Sequence, residues 1–591
     1  MVEALGSLTR THTCGGLRAQ DVGADAVLLG WVHRIRDLGG VTFIDVRDRA
    51  GVSQVVVREN DALMSVAKRL GREYVVGVTG VVQRRSAETV NPKLATGEVE
   101  VLAREIRLLN EAKTPPFEIA EDTPVSEEVR LKYRYLDLRR ARLQSNIGLR
   151  HRVAMAVRKY FDANGFWEIE TPILAKSTPE GARDFLVPSR IHPGEFYALP
   201  QSPQLYKQTL MIAGCDRYFQ FARCLRDEDL RADRQPEHTQ IDLELSFVTE
   251  DDVFDAVEGL FAALWKECLG VDLVRPFPRL TFREAMLRYG SDKPDVRFGR
   301  EFRDVTALCA RSPLNVVAKG AKREDGVGVA LVVPGGATEI SGTQLRKYED
   351  VVKEAGGGGL TFFKVLDAER EKQHKVFPGP LLDEFLAATG TKDGDVVLFT
   401  SGAWEPTLKA LGVLRSQLGQ PLLAGHEKEW RFLWVREFPM FEWDPDRKGW
   451  APRHHMFTMP NAEHLALLES DPGRVFAQLY DLVLNGTELG SGSIRIHRTD
   501  IQERVMKVIG LTHEQAYEKF GFLLEAYRYA SPPHGGIGLG FDRIVMLMGG
   551  ADSIRETIAF PKSASAASLM DGSPGEVEPE TLRELHLKMT P

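Results

Sequence analysis

Cysteine is scarce in this sequence. The five residues, Cys14, Cys215, Cys224, Cys268 and Cys309, lie far apart without a Cys-x-x-Cys pair, which argues against a zinc site and a disulfide framework and fits a reducing cytoplasm. Long apolar runs are missing too: no stretch reaches the roughly 18 residues a membrane-spanning helix needs, and no basic-then-apolar leader is evident, so no membrane partner is expected. Nor does one sign of charge dominate. Lys and Arg number 76 against 84 Asp and Glu, a formal net charge of −8, so any nucleic-acid partner must be held by local basic surfaces. What remains is an ordinary soluble composition, 43% hydrophobic and 27% charged over 591 residues, enough chain for three or four domains.

Five short strands are expected between Ala26 and Leu102, with a helical stretch from Ala62 to Leu70 between the third and fourth. That order points to an OB-type barrel, a fold whose open face commonly binds single-stranded nucleic acid. Arg34, Arg36, Phe43, Gln54 and Glu100 would supply phosphate contacts, stacking and base reading on that face. The paired prolines of Glu111 to Phe117 mark a linker. A basic stretch from Arg130 to Arg142 then enters a helix reaching about Asn164; it is either a solvated hinge or a track along a polyanion. From Arg288 to Ala424 the character changes to a separate α+β insertion without a catalytic constellation. The residues after Pro561 read as a loose tail.

Chemistry concentrates in four places. Tyr218 to Phe247 reads as two strands joined by a charged loop, and in the second strand Ile241, Leu243 and Leu245 alternate with Asp242, Glu244 and Ser246, giving one apolar and one wet face. Gly538 and Gly540 allow close approach of a flat ligand, Asp542 can tie the turn, and Arg543 opens a helix whose start favours phosphate. Arg226 and Arg543 could therefore bracket a triphosphate, and Asp481 and Glu488 offer oxygens of the kind Mg²⁺ takes when it is shared with phosphates. The adjacent His454 and His455 point oppositely on an extended segment and suit hydrogen bonding better than metal binding.

These blocks resemble the three signature motifs of class II aminoacyl-tRNA synthetases: Gly165 to Pro172 the first, Phe221 to Glu244 the second, Gly538 to Arg543 the third. The barrel, the Arg134-Tyr135-Leu136-Asp137 stretch, Leu225 to Asp229 and the insertion resemble bacterial-type aspartyl-tRNA synthetases over nearly the whole chain, with Leu225 where that family usually has phenylalanine. The fold class implied is multidomain α+β. It comprises an OB-fold anticodon-binding domain (1–112), a hinge (113–140), an antiparallel-sheet catalytic domain in two parts (141–287 and 425–561), the insertion (288–424) and a C-terminal extension (562–591).

The resemblance also implies roles. Arg226, Glu228, Gln235, Glu488, Gly540, Phe541, Asp542 and Arg543 would hold ATP, with Arg226 and Arg543 stabilising charge during catalysis. Asp481 and Glu488 would carry Mg²⁺. Glu180, Gln204 and Asp242 would meet the α-ammonium of L-aspartate, and Lys207, Arg495 and His454 or His455 its side-chain carboxylate, with Arg226 also at the amino acid. The loop from Asp229 to Glu237 would meet the acceptor end of tRNA(Asp), the five barrel residues its anticodon, and the first motif would form a homodimer. Leu38 and the barrel loops favour a form strict for tRNA(Asp) over one that also charges tRNA(Asn). Asparaginyl or lysyl relatives fit less well, because they lack the large insertion and a lysine pocket needs acids where Lys207 and Arg495 stand. A non-catalytic tRNA-binding paralogue would show damage in the second or third motif, and an unrelated OB-fold protein explains only the first hundred residues.

Overall fold

A computed structural model describes residues 2–58, 60–178, 181–228 and 234–590. The chain divides into two compact units, one of Met1–His151 with Gly549–Glu576 and one of Arg152–Asp229, Arg234–Met548 and Val577–Pro591. Among the described residues no helix is long and apolar enough to cross a membrane.

In the first unit, strands β1 (Asp25–Asp37), β2 (Val41–Asp48), β3 (Gly51–Arg58), β4 (Val75–Arg84) and β5 (Val99–Asn110) close a barrel in the order β1-β2-β3-β5-β4. Alternate residues fill it: Val32, Ile44, Val46, Val55, Val57, Val76 and Val78 are fully buried, as the two-residue period of a strand requires. Helix α1 (Asp61–Arg69) lies between the third and fourth strands and is capped by the Asn60 side chain, which accepts from the Leu63 amide at 3.0 Å.

The basic stretch after the barrel is not solvated at its centre. Arg134 is 3% exposed and donates to the carbonyls of Ala559, Ile558 and Arg555 at 2.8 to 2.9 Å. Asp137, wholly buried, accepts from Arg134 at 2.7 Å and from Arg130 at 3.1 Å. The stretch is thus a knot that ties Gly549–Glu576 to this unit.

The second unit is built on an eight-stranded sheet. Its strands are β6 (Trp167–Glu168), β7 (Arg217–Leu225), β8 (Glu237–Ser246), β9 (Arg279–Thr281), β10 (Phe432–Arg436), β11 (Leu479–Leu484), β12 (Thr487–Ile494) and β13 (His534–Gly540), in the order β9-β10-β11-β12-β13-β8-β7-β6. The interior pairings are antiparallel, and only the outer pairs β9/β10 and β6/β7 are parallel. Two further helices matter here: α2 (Gln204–Ile212), which precedes β7, and α3 (Glu250–Leu269), which follows β8.

Helix α3 covers one face. Val253, Phe254, Val257, Leu260, Phe261, Leu264 and Trp265 form its buried stripe at helical spacing, and Phe254 stacks on Trp434 and meets Tyr480 edge-on at 5.0 Å. Since Tyr480 faces α3, its neighbour Asp481 faces the other way.

The insertion has its own four-stranded sheet, from residues 303–304, 326–333, 361–364 and 396–403. Part of its core is shared: Val329, Leu331 and Leu398 belong with Leu408, Leu411, Leu433 and Val483 to one hydrophobic cluster, while Ala330, Phe363, Phe377, Phe385 and Phe399 pack in a cluster of the insertion's own. Arg134→Ala should strand Asp137 and three carbonyls, costing about 3–5 kcal/mol, the scale of a broken buried ion pair. Accelerated hydrogen exchange at residues 554–559, with the second unit unaffected, is the expected measurement.

Candidate active site

The face of the sheet turned away from α3 carries a straight row of positions. Asp481 on β11 pairs with Ser491 on β12, Ser491 with Gly538 on β13, Gly538 with Asp242 on β8, and Asp242 with Gln220 on β7. One pleat away a second row runs Ser493, Gly536, Glu244. Glycines in the centre of both rows leave a bare floor between two acidic walls. A methyl group on Gly536 would lie 2.1 Å from the Leu243 carbonyl and 2.2 Å from the Glu244 carboxylate; one on Gly538 would lie 3.2 Å from Asp242 Oδ2.

The polar side of β8 is not wet. Asp242 and Glu244 are 2% and 0% exposed, and two cations compensate them. Lys207, on α2 one turn after Gln204, places Nζ 2.7 Å from Asp242 Oδ1 and 3.3 Å from Glu244 Oε2. Arg495 donates to both oxygens of Glu244, Nε at 2.9 Å and the terminal nitrogen at 3.1 Å. Burial raises the pKa of Asp242 despite Lys207; at Glu244 burial pushes the same way, but Arg495 and Lys207 outweigh it and the pKa falls. Gln204 Nε2 is buried with no hydrogen-bond partner among the described residues, a donor suited to a ligand.

The two histidines part company. His455 Nε2 sits 2.9 Å from Arg495, and burial with that guanidinium holds its pKa well below the ordinary value. His454 packs edge-on to Phe438, retains solvent access on its outer side, and is crowded enough elsewhere that desolvation lowers its pKa to about 4.

At the other end of the floor, Arg226 follows β7 and its Nε reaches the Gln201 carbonyl at 3.4 Å, while its amide donates to the Pro236 carbonyl at 2.8 Å and closes the base of the charged loop. Glu228 pairs with Arg234 at 3.0 Å, and Gln235 is buried. Helix α4 (Phe541–Gly549) begins at the end of β13. Asp542 accepts from the Thr239 amide at 2.9 Å, Phe541 meets Phe221 edge-on, and Arg543 donates to the Glu488 carbonyl at 3.0 Å, so Asp542 does tie the turn to β8. Gly540 pairs with Gln240. Burial, reinforced by Glu488, pushes the Asp481 pKa well up, and Asp481 Oδ1 is buried without a hydrogen-bond partner among the described residues. Two carboxylates with an open oxygen fit a cation shared with phosphates; no group of three or more potential ligands occurs among the described residues.

Glu180 and residues 229–233 of the charged loop lie outside the described residues. Sequence reasoning missed Glu244, although it shares the face of Asp242 two residues on. It also missed His238, whose pKa burial and Arg226 lower to about 4, and Gln201, which bonds Ala182 and the Asp184 carboxylate. On the barrel, Arg36 contacts Asp45 and Gln54 at 3.0 and 2.9 Å and lies over the Phe43 ring, and Gln54 donates to Glu100 at 2.8 Å. Arg34 is exposed on the same strand as Arg36.

Two family models match this chain: tRNA synthetases class II (D, K and N) over residues 126–564 and an OB-fold nucleic acid binding domain over residues 26–109. The chain therefore belongs to the class II tRNA synthetases of the D, K and N group. Relatives that it matches over nearly the full length include aspartate–tRNA ligases. It is 52% identical to the aspartate–tRNA(Asp/Asn) ligase of Moorella thermoacetica, over 100% of this chain and 98% of that one. It is 49% identical to the aspartate–tRNA ligase of Geobacillus kaustophilus, over 98% and 99%. Among solved structures, the asparaginyl-tRNA synthetase of Pyrococcus horikoshii shares the fold with a TM-score of 0.58 at 18% identity, over 94% of this chain and 99% of that one.

Gly536→Ala should force β8 and β13 apart beneath the Lys207–Asp242–Glu244–Arg495 cluster. Aminoacylation is expected to fall about 100-fold, the scale of a 1 Å misplacement, while circular dichroism reports an unchanged secondary-structure content.

Proposed function

We propose that this chain is an aspartate–tRNA ligase that activates L-aspartate with ATP and transfers it to the 3′ end of tRNA(Asp). The observation that carries this reading is the buried quartet of Lys207, Asp242, Glu244 and Arg495. Asp242 and the Gln204 side-chain carbonyl suit an amino acid's ammonium end, while the Gln204 Nε2 donor, Lys207 and Arg495 suit carboxylate oxygens. Within the quartet Lys207 and Arg495 are balanced by Asp242 and Glu244; a substrate ammonium engaging Asp242 releases Lys207 for a side-chain carboxylate, a role a neutral amide does not fill, and polar sites of this kind discriminate by as much as about 10⁴ to 10⁵. His455 is committed to Arg495 and acts as its support; His454, open on its outer side, is the histidine presented to the substrate.

The α-carboxylate of aspartate attacks the α-phosphate in line and pyrophosphate departs; the terminal ribose hydroxyl of the tRNA then attacks the acyl carbon of the aspartyl-adenylate, loses its proton and breaks the acyl–phosphate bond, releasing AMP. No protein nucleophile is needed. Arg226 stabilises charge at the α-phosphate and Arg543 at the γ-phosphate, each positioned in advance by a backbone carbonyl. Glu228, Gln235, Gly540 and Phe541 frame the nucleotide. Mg²⁺ held by Asp481 and Glu488 would neutralise charge on the phosphates. On the barrel, Phe43 stacks an anticodon base, with Arg36, Gln54 and Glu100 as a linked reading group and Arg34 toward the backbone. The exposed Trp167, Ile173 and Leu174 beside edge strand β6 support a homodimer, and five free cysteines support a cytoplasmic setting.

Arg226→Ala should lower pyrophosphate exchange by about 10² to 10³ with the fold intact; near-normal exchange would contradict the assignment. Phe43→Ala should weaken tRNA charging and spare tRNA-free aspartate activation, whereas equal loss of both would remove the barrel's proposed role. Relatives bear both names, with and without tRNA(Asn). Charging the two transcripts side by side tests the strict form: equal rates would place this chain with the dual-specificity group.

A further inference from the structure

The insertion has a physical route to the phosphate end of the site. The segment between helix Phe282–Tyr289 and residue 300 is clamped by Arg415, from the insertion helix Trp404–Gly419. Arg415 is 1% exposed and donates to three backbone carbonyls, of Asp295 and Arg300 at 2.9 Å and Gly299 at 2.5 Å. Its guanidinium lies against the rings of Tyr289 and Phe298, at 4.8 and 4.5 Å. Gly290, at φ +68°, fits because its α-carbon faces the Leu408 carbonyl too closely for any side chain.

The clamped segment touches the hairpin that carries the two acids. Asp295, gripped by the Arg297 guanidinium at 3.0 and 2.6 Å, packs on Gly486, the turn between β11 and β12, so tightly that a methyl group there would stand 3.1 Å from Asp295 Cβ. Two residues earlier Lys293 places Nζ 3.7 Å from Glu488 Oε2, and its charge also acts on Asp481. The lysine side chain is half exposed on a fixed backbone, so its head can swing while its root cannot. The charge of Asp292 also acts on Asp481 and His454.

We propose that Lys293 is a positioning residue of the phosphate end: it is a counter-ion of Glu488 and yields that carboxylate to a divalent cation. This rests on reading Asp481 and Glu488 as the Mg²⁺ pair. An ammonium on a flexible stem is suited to the exchange, because it stabilises adjacent carboxylates and can withdraw from them without disturbing the backbone. The insertion would thus set, through Arg415 and the segment it clamps, how readily the cation enters.

Mn²⁺ binding to the full chain without ATP, followed by water-proton relaxation, tests this apart from activity. Lys293→Met should tighten Mn²⁺ by about threefold to tenfold, since charge count tunes such sites, and Lys293→Arg should resemble the parent. Unchanged or weaker binding in Lys293→Met, with parent binding abolished by Asp481→Asn, would overturn the counter-ion role alone. Parent binding that survives Asp481→Asn and Glu488→Gln would overturn the metal reading and the inference together. Equal melting temperatures for parent and Lys293→Met exclude unfolding as the cause.

Discussion

Four charges out of water within one small volume constrain everything around them. Lys207, Asp242, Glu244 and Arg495 are each almost wholly buried, and each would be costly there without the others. Their geometry depends on strands that approach closely, which is why β13 is built of glycine where it passes Asp242 and Glu244. It depends also on a neutral partner for the outer face of Arg495. His455 supplies it, because burial beside the guanidinium keeps the imidazole uncharged.

Much of this was legible in the sequence, for a definite reason. Alternation along β8, turn glycines in β13 and the strand–helix order of the barrel are local patterns, and local patterns survive without knowledge of partners. The barrel residues Arg36, Phe43, Gln54 and Glu100 fall into one contact chain. What the sequence concealed was burial. The same alternation that marks Asp242 and Glu244 as one face made that face look wet, because the compensating Lys207 and Arg495 lie 35 and 253 residues from Asp242. Arg134 and Asp137 were obscured for the same reason: a basic stretch looks solvated until Arg555, Ile558 and Ala559 are brought to it.

The insertion illustrates a second limit. Its own sheet made it look detachable, yet the hydrophobic cluster beneath it continues under β10 and β11. Helix Trp404–Gly419 faces both ways, with Leu408 and Leu411 in the shared core and Arg415 on the segment that supports the Asn485-Gly486 turn. An insertion packed like this is bound to the catalytic sheet by the same apolar surface that stabilises it.

The row from Asp481 to Asp242 crosses three strand-to-strand intervals. At about 4.8 Å each, the separation between the acid of the phosphate end and the acid of the quartet is close to 14 Å, and main-chain hydrogen bonds set it. The sheet therefore works as a ruler. Exchanging side chains along the row can alter which groups are recognised at either end, but the length of molecule that fits between them is written in the backbone.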